Sequence, residues 1–74
     1  MTFNYSKLRG RIVEKVGTIK NLAKIAEISE HSLSFKLNNK VEWRQSEIMK
    51  LVPILELDPD DIGVYFFTKD VQFN

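Results

Sequence analysis

Apolar side chains recur at intervals of three to four residues along most of the chain, which is the spacing of one face of an α-helix. A chain of 74 residues without cysteine has no disulfide to hold it together, so these faces must pack into one core. The sequence therefore predicts an all-α fold of five short helices. The stripes of the first four are Leu8, Ile12 and Val16; Leu22, Ala23 and Ala26; Leu33 and Leu37; and Ile48, Leu51, Val52 and Leu55.

Capping residues mark the expected ends of the first three helices. The first helix, over residues 5–16, should end at Gly17, because glycine adopts the left-handed conformation found after many helices. Thr18 and Ser29 have the side chains that accept hydrogen bonds from the free N–H groups of a helix start. We therefore expect the second helix to follow Thr18 directly, and the third to follow Ser29 after a very short connection.

The strongest local signal for a helix start lies near the C-terminus. Asp58 is a good cap and Pro59 suits the first helical position, so a short fifth helix should begin here and end near residue 67. The sequence therefore predicts a domain over residues 1–67. A short C-terminal tail over residues 68–74 is expected to be extended or disordered.

Charge is distributed unevenly between the two halves of the chain. Residues 1–40 contain eight basic and three acidic side chains, a net charge of +5, whereas residues 41–74 contain three basic and seven acidic side chains, a net charge of −4. This asymmetry suggests one surface that faces a polyanion and another that is kept away from it. Two solvated faces with no partner are the alternative explanation.

The residue content excludes most kinds of metal-binding and catalytic site. With no cysteine and one histidine, His31, the chain cannot build a zinc site or a Cys–His pair. Asp58, Asp60 and Gly63 match part of a calcium-binding loop, but Lys69 stands where that loop needs a bidentate glutamate. We expect no metal, no cofactor and no enzymatic activity.

The sequence also gives an expectation for the compartment. Residues 1–10 are polar and lack the apolar segment of a signal peptide. No apolar run approaches the ~18 residues that a membrane span needs. We expect a soluble cytoplasmic protein that makes no membrane contact.

The second and third predicted helices carry a recognisable pattern. Its residues are Thr18, Ile19, Lys20, Asn21, Leu22, Ala23, Ile28, Ser29, Ser32, Leu33, Ser34, Asn38, Asn39 and Lys40. They resemble the lambda-repressor-like (Cro/CI, XRE-type) helix-turn-helix domain, and the chain is most similar to small Cro-like regulators of phages and prophages of Gram-positive bacteria. The resemblance implies a helix-turn-helix formed by helices two and three. The family favours glutamine in place of Ile19, glycine in place of Glu27 and an apolar residue in place of Lys36.

The resemblance also implies which residues would contact DNA. Base edges would be read from the third helix, and phosphates would be held from the start of helix two and around helix three. The expected base contacts are Glu30, His31, Ser34 and Phe35; the expected phosphate contacts are Thr18, Lys20, Ser32, Lys36, Asn39, Lys40 and Arg44. Phe35 is equally compatible with a position in the core. Glu30 is equally compatible with a role that involves no DNA, as an acidic residue that interacts favourably with the positive end of the helix dipole.

The leading hypothesis from this resemblance is a Cro-like transcriptional repressor that binds double-stranded operator DNA as a homodimer. Four C-terminal aromatic residues, three of them at positions 65–67 and the fourth Phe73, also suggest an apolar patch for self-association. An antirepressor that binds a partner repressor protein instead of DNA is the alternative, favoured by Ile19, Glu27, Glu30 and the acidic second half. An antitoxin is a third possibility.

Overall fold

The computed structural model describes residues 2–70, and in this part of the chain the fold is all-α, as the sequence predicts. Within residues 2–70, five α-helices surround one core, and a single turn of 3₁₀-helix, Pro59–Asp61, precedes the last of them. The helices are α1 (Ser6–Val16), α2 (Ile19–Ala26), α3 (Glu30–Leu37), α4 (Gln45–Ile54) and α5 (Ile62–Phe66).

The predicted caps at the first three helices are confirmed. Gly17 ends α1 with φ +90°, the Thr18 hydroxyl accepts a 3.1 Å bond from the Asn21 N–H, and the Ser29 hydroxyl accepts a 3.0 Å bond from the Ser32 N–H. The fifth helix begins later than predicted. The Asp58 carboxylate does cap the backbone there, but it initiates the 3₁₀ turn, and the α-helical hydrogen bonds start only at Ile62.

The three-residue connection between α2 and α3 contains a strained residue. Glu27 lies in the left-handed region at φ +57° and ψ +40°, where its N–H bonds to the Ala23 carbonyl and ends α2. A side chain at this conformation costs about 1 kcal/mol relative to glycine, because Cβ approaches the following carbonyl oxygen.

Replacing Glu27 with glycine is therefore expected to raise the free energy of unfolding by about 0.5–1 kcal/mol, measured by urea denaturation. Glu27→Ala is the matched control and should give no gain, because alanine retains the Cβ atom. An equal gain in both variants would show that the charge of Glu27, and not its backbone conformation, lowers the free energy of unfolding.

The core is built from the predicted stripes together with aromatic residues of the chain ends. Leu8, Leu22, Leu33, Leu51 and Leu55 are fully buried. Val16 of α1 and Val52 of α4, which the stripes place in the core, are only half-buried. The other buried apolar side chains are Tyr5, Ile12, Ala23, Ala26, Leu37, Ile48, Leu57 and Phe66.

The two ends of the described chain pair with each other. The Asn4 N–H donates to the Thr68 carbonyl at 2.8 Å, and the Asp70 N–H donates to the Thr2 carbonyl at 3.1 Å, which gives an isolated antiparallel bridge. Residues 68–70 of the predicted tail are therefore extended and folded back on their own chain. The rest of that tail, residues 71–74, lies outside the described residues.

This terminal bridge is tied to the loop between α3 and α4. The Asn39 side chain donates to the Phe3 carbonyl and accepts from the Phe3 N–H, both at 2.9 Å. Asn39 itself adopts φ +60°, a left-handed conformation that asparagine tolerates better than most residues. The bridge therefore brings the N-terminal aromatic residues beside those of α5.

No helix within residues 2–70 has the length and hydropathy of a membrane span.

Candidate functional site

The four predicted base contacts share one side of α3. Glu30, His31 and Phe35 are exposed, and Ser34 is half-buried. Phe35 keeps 41% of its surface accessible and packs against His31 with the ring centroids 4.2 Å apart and the planes tilted by 45°, so it is not a core residue. The helix thus presents these side chains together, as the spacing predicts, but exposure alone does not assign them a ligand.

The predicted phosphate contacts are more scattered. Lys20, Lys40 and Arg44 are exposed, whereas the polar groups of two other candidates are already engaged. The Thr18 hydroxyl caps α2, and the Asn39 amide holds Phe3. These contacts explain both residues by their structural roles.

Lys36 is the clearest departure from the predicted surface. Only 4% of it is exposed, its ammonium group pairs with the Glu47 carboxylate at 3.2 Å, and it donates to the Ser32 hydroxyl at 2.8 Å. An enclosed and neutralised cation cannot reach a phosphate, so the prediction for Lys36 is wrong. Ser32, predicted beside it, directs its hydroxyl to the same ammonium group. Leu37, the next residue, fills the core position of the helix instead.

A cluster of aromatic rings lies on a different face, where the chain ends meet the α3–α4 loop. Trp43 packs edge-on against Phe66, with the ring centroids 5.2 Å apart, and against Tyr5, with the centroids 6.4 Å apart. Phe3 contacts Tyr5 at 6.3 Å and Phe67 at 6.0 Å, which completes the cluster. Residues from three separate parts of the sequence are therefore in mutual contact.

Two grooves flank Trp43 and share its ring and that of Phe67 as walls. The first has a volume of about 510 Å³, and the second, about 420 Å³, runs along α4 and α5. Val41 in the first groove, Met49 in the second and Phe67 in both are 48%, 57% and 54% exposed. The other lining residues are Phe3, Tyr5, Asn39, Lys40, Glu42 and Phe66 in the first, and Gln45, Ile48 and Ile62 in the second. We call these two grooves and their walls the aromatic surface.

Burial influences the chemistry of the tyrosine beneath this surface. It raises the pKa of the Tyr5 phenol above its ordinary value of 10.0. The Trp43 indole N–H opposes this rise, although the two groups do not meet the geometry of a hydrogen bond. The phenol is therefore neutral near pH 7, and the cluster beneath the grooves carries no charge of its own.

The sequence predicts only some of the residues that form this surface. The aromatic run at residues 65–67 predicted an apolar patch, and two of its members, Phe66 and Phe67, do line the grooves. The contribution of Phe3 and Val41 was missed, because it depends on the pairing of the chain ends and on the α3–α4 loop.

A solved structure resembles the chain over almost its whole length. It is described as the solution structure of the modulator of repression (MOR) of the temperate bacteriophage TP901-1 from Lactococcus lactis. The sequences are 49% identical, the match covers 97% of each chain, and the TM-score is 0.79. No curated protein matches the chain.

These findings correct the hypothesis drawn from the helix-turn-helix resemblance. The matching relative is a modulator of repression, so the prediction of a Cro-like, DNA-binding repressor is wrong, and the assignment to the lambda-repressor-like family is wrong with it. The local pattern at α2 and α3 reflects shared capping and packing, which does not determine what the surface binds. The family model that matches covers residues 1–69, and the chain belongs to the family described as protein of unknown function (DUF739).

Proposed function

We propose that this chain is an antirepressor: it binds a repressor protein of a temperate phage and so changes the repression that this protein exerts. The observation that carries the proposal is the 49% identity, over 97% of both chains, to a modulator of repression. The chain would act by binding alone, without catalysis or a cofactor. This was the alternative interpretation of the sequence.

The aromatic surface supports a protein partner over a nucleic acid. The walls of the two grooves include one basic side chain, Lys40, whereas phosphate recognition uses several cations and protein interfaces are enriched in aromatic residues and methionine. Phe67 and Met49 are both more than half exposed at the grooves, next to the half-buried ring of Trp43. Tryptophan is one of the residue types that contribute most of the binding energy in protein interfaces.

Acidic residues next to the second groove also favour this kind of partner. Asp58, Asp60 and Asp61 are exposed, and their 3₁₀ turn leads directly into Ile62, which lines the groove. A repressor carries basic residues for its own contacts with DNA. Complementary charge would speed the encounter of the two proteins and orient them.

The test uses the repressor of phage TP901-1 as the probe partner. The purified chain is titrated into this repressor and, separately, into labelled operator DNA, and binding is followed by calorimetry and by fluorescence anisotropy. We expect a complex with the repressor and no binding of the chain to DNA at micromolar concentrations. Binding to DNA without binding to the repressor would contradict the proposal.

Self-association is the competing use of the same apolar patch, as the predicted homodimer would require. Light scattering on the free chain measures it directly. We expect a monomer whose aromatic surface is available to the partner. A dimer that persists after Phe67→Ala would place the contact between copies elsewhere on the molecule.

A further inference from the structure

A charged pair is buried between α3 and the start of α4. The Lys36 and Glu47 side chains are only 5% and 15% exposed, and their charged groups lie 3.2 Å apart. The Lys36 ammonium group also donates to the Ser32 hydroxyl at 2.8 Å. At the same time the Glu47 carboxylate accepts the Arg44 backbone N–H at 2.7 Å. These contacts form a continuous polar chain from α3 to the backbone of Arg44.

The last group of this chain belongs to the residue that follows Trp43. On the other side of Trp43, the loop is fixed where the Asn39 amide holds Phe3 by two hydrogen bonds. The indole itself has no polar anchor within residues 2–70, because Nε1 is buried and makes no hydrogen bond there. The position of the ring therefore depends on its packing and on these two attachments of the loop.

Stability does not account for a buried ion pair at this place. Removing two charges from water costs about as much as their attraction returns, so an apolar pair of similar size is often equally stable. A charged pair differs from an apolar one because its hydrogen bonds are directional. The Glu47 carboxylate must be oriented so that it meets both the Lys36 ammonium group and the Arg44 N–H. We propose that Lys36 and Glu47 are positioning residues that fix the α3–α4 loop and thereby hold Trp43 in the orientation that a partner binds.

The proposal deepens the antirepressor function and rests on it for the identity of the binding surface. Its first test needs no partner. In the unmodified protein, hydrogen exchange at the Arg44 amide is compared with exchange at Gln45 and Ser46, which lie in the first turn of α4 and lack intrahelical acceptors. We expect exchange at Arg44 to be at least about tenfold slower. Equal rates would show that Glu47 does not hold the loop and would overturn the proposal.

The second test replaces both charges with apolar side chains of similar length, in the double variant Lys36→Met/Glu47→Met. The midpoint of thermal unfolding should remain within about 5 °C of the original. Trp43, the single tryptophan, reports on the loop. We expect its indole N–H resonance to move and its quenching by acrylamide to increase about twofold. Affinity for the TP901-1 repressor should fall by about tenfold, because the surface is no longer preorganised.

A second ion pair provides the matched control. Lys15 and Glu56 lie 3.2 Å apart, like the buried pair, but their side chains are 26% and 68% exposed and they join α1 to the turn that follows α4 instead of the α3–α4 loop. Lys15→Met/Glu56→Met should leave the Trp43 signals and repressor affinity unchanged.

The outcomes separate the two proposals. If Lys36→Met/Glu47→Met folds with unaltered Trp43 signals and repressor affinity, the positioning role is wrong, whatever the partner. If the unmodified chain does not bind the repressor, the proposed function fails, while the exchange and fluorescence results still decide the role of the pair.

Discussion

Phe67→Ala is expected to retain the fold and lose about 2 kcal/mol of binding free energy toward the TP901-1 repressor, an affinity loss of about thirtyfold. Phe67 lines both grooves and is 54% exposed, so we expect its ring to contribute more to the binding of a partner than to the core. Removing it also removes its edge-on contact with Phe3, which should cost about 1 kcal/mol of folding stability. Calorimetry measures the first effect and thermal unfolding the second.

The control for this experiment is Val13→Ala. Val13 is 65% exposed on α1 and lines neither groove, so its loss should leave affinity within about twofold of the original. A similar loss of affinity in both variants would indicate a general effect of apolar surface. Unchanged affinity in Phe67→Ala would place the binding surface elsewhere.

Phe66→Ala is expected to have the largest effect on folding. The ring is 1% exposed, and it joins the five-residue helix α5 to the core and to Trp43. Truncating a buried phenylalanine costs about 3–5 kcal/mol, because apolar contact is lost and a cavity remains. A domain of this size has roughly 4–11 kcal/mol of stability in total. The midpoint of thermal unfolding should therefore fall by at least about 12 °C.

Val64→Ala tests whether this effect is specific to the buried position. Val64 belongs to the same helix but is 40% exposed, so its truncation should cost less than about 1 kcal/mol. Circular dichroism during heating follows both variants. If Phe66→Ala unfolds at the original temperature, α5 does not depend on this contact and the grooves are not anchored as described.

The local features of the fold could be predicted because they depend on neighbouring residues. Thr18 and Ser29 cap helices through N–H groups three positions away, and Gly17 ends α1 through its own backbone conformation. The buried stripes follow from helical periodicity, which places Leu8 and Ile12 on one face. The fold class follows from these local rules.

The candidate site could not be predicted in the same way, because it is assembled from distant parts of the chain. Phe3 reaches Phe67 only after residues 2–4 pair with residues 68–70, and no periodic pattern in the sequence encodes that pairing. Lys36 was assigned to a phosphate contact because the resemblance implies such contacts around helix three. Its partner Glu47 lies on another helix, so the pair that makes its burial tolerable has no local signal.

The function was misassigned for a related reason. The α2–α3 pattern records how two helices cap and pack, and this is compatible with more than one kind of ligand. The identity to a modulator of repression concerns the whole chain, including the aromatic surface that the pattern leaves out.

The pairing of residues 2–4 with residues 68–70 has a practical consequence for anyone who labels this chain. Phe3 and Phe67 belong to the paired segments or adjoin them, and both form walls of the first groove. A fluorophore coupled to a side chain at position 2 or 70 would therefore lie beside the aromatic surface and compete with a partner for space. A label on Val13, which is exposed on α1 and lines neither groove, would leave this surface free.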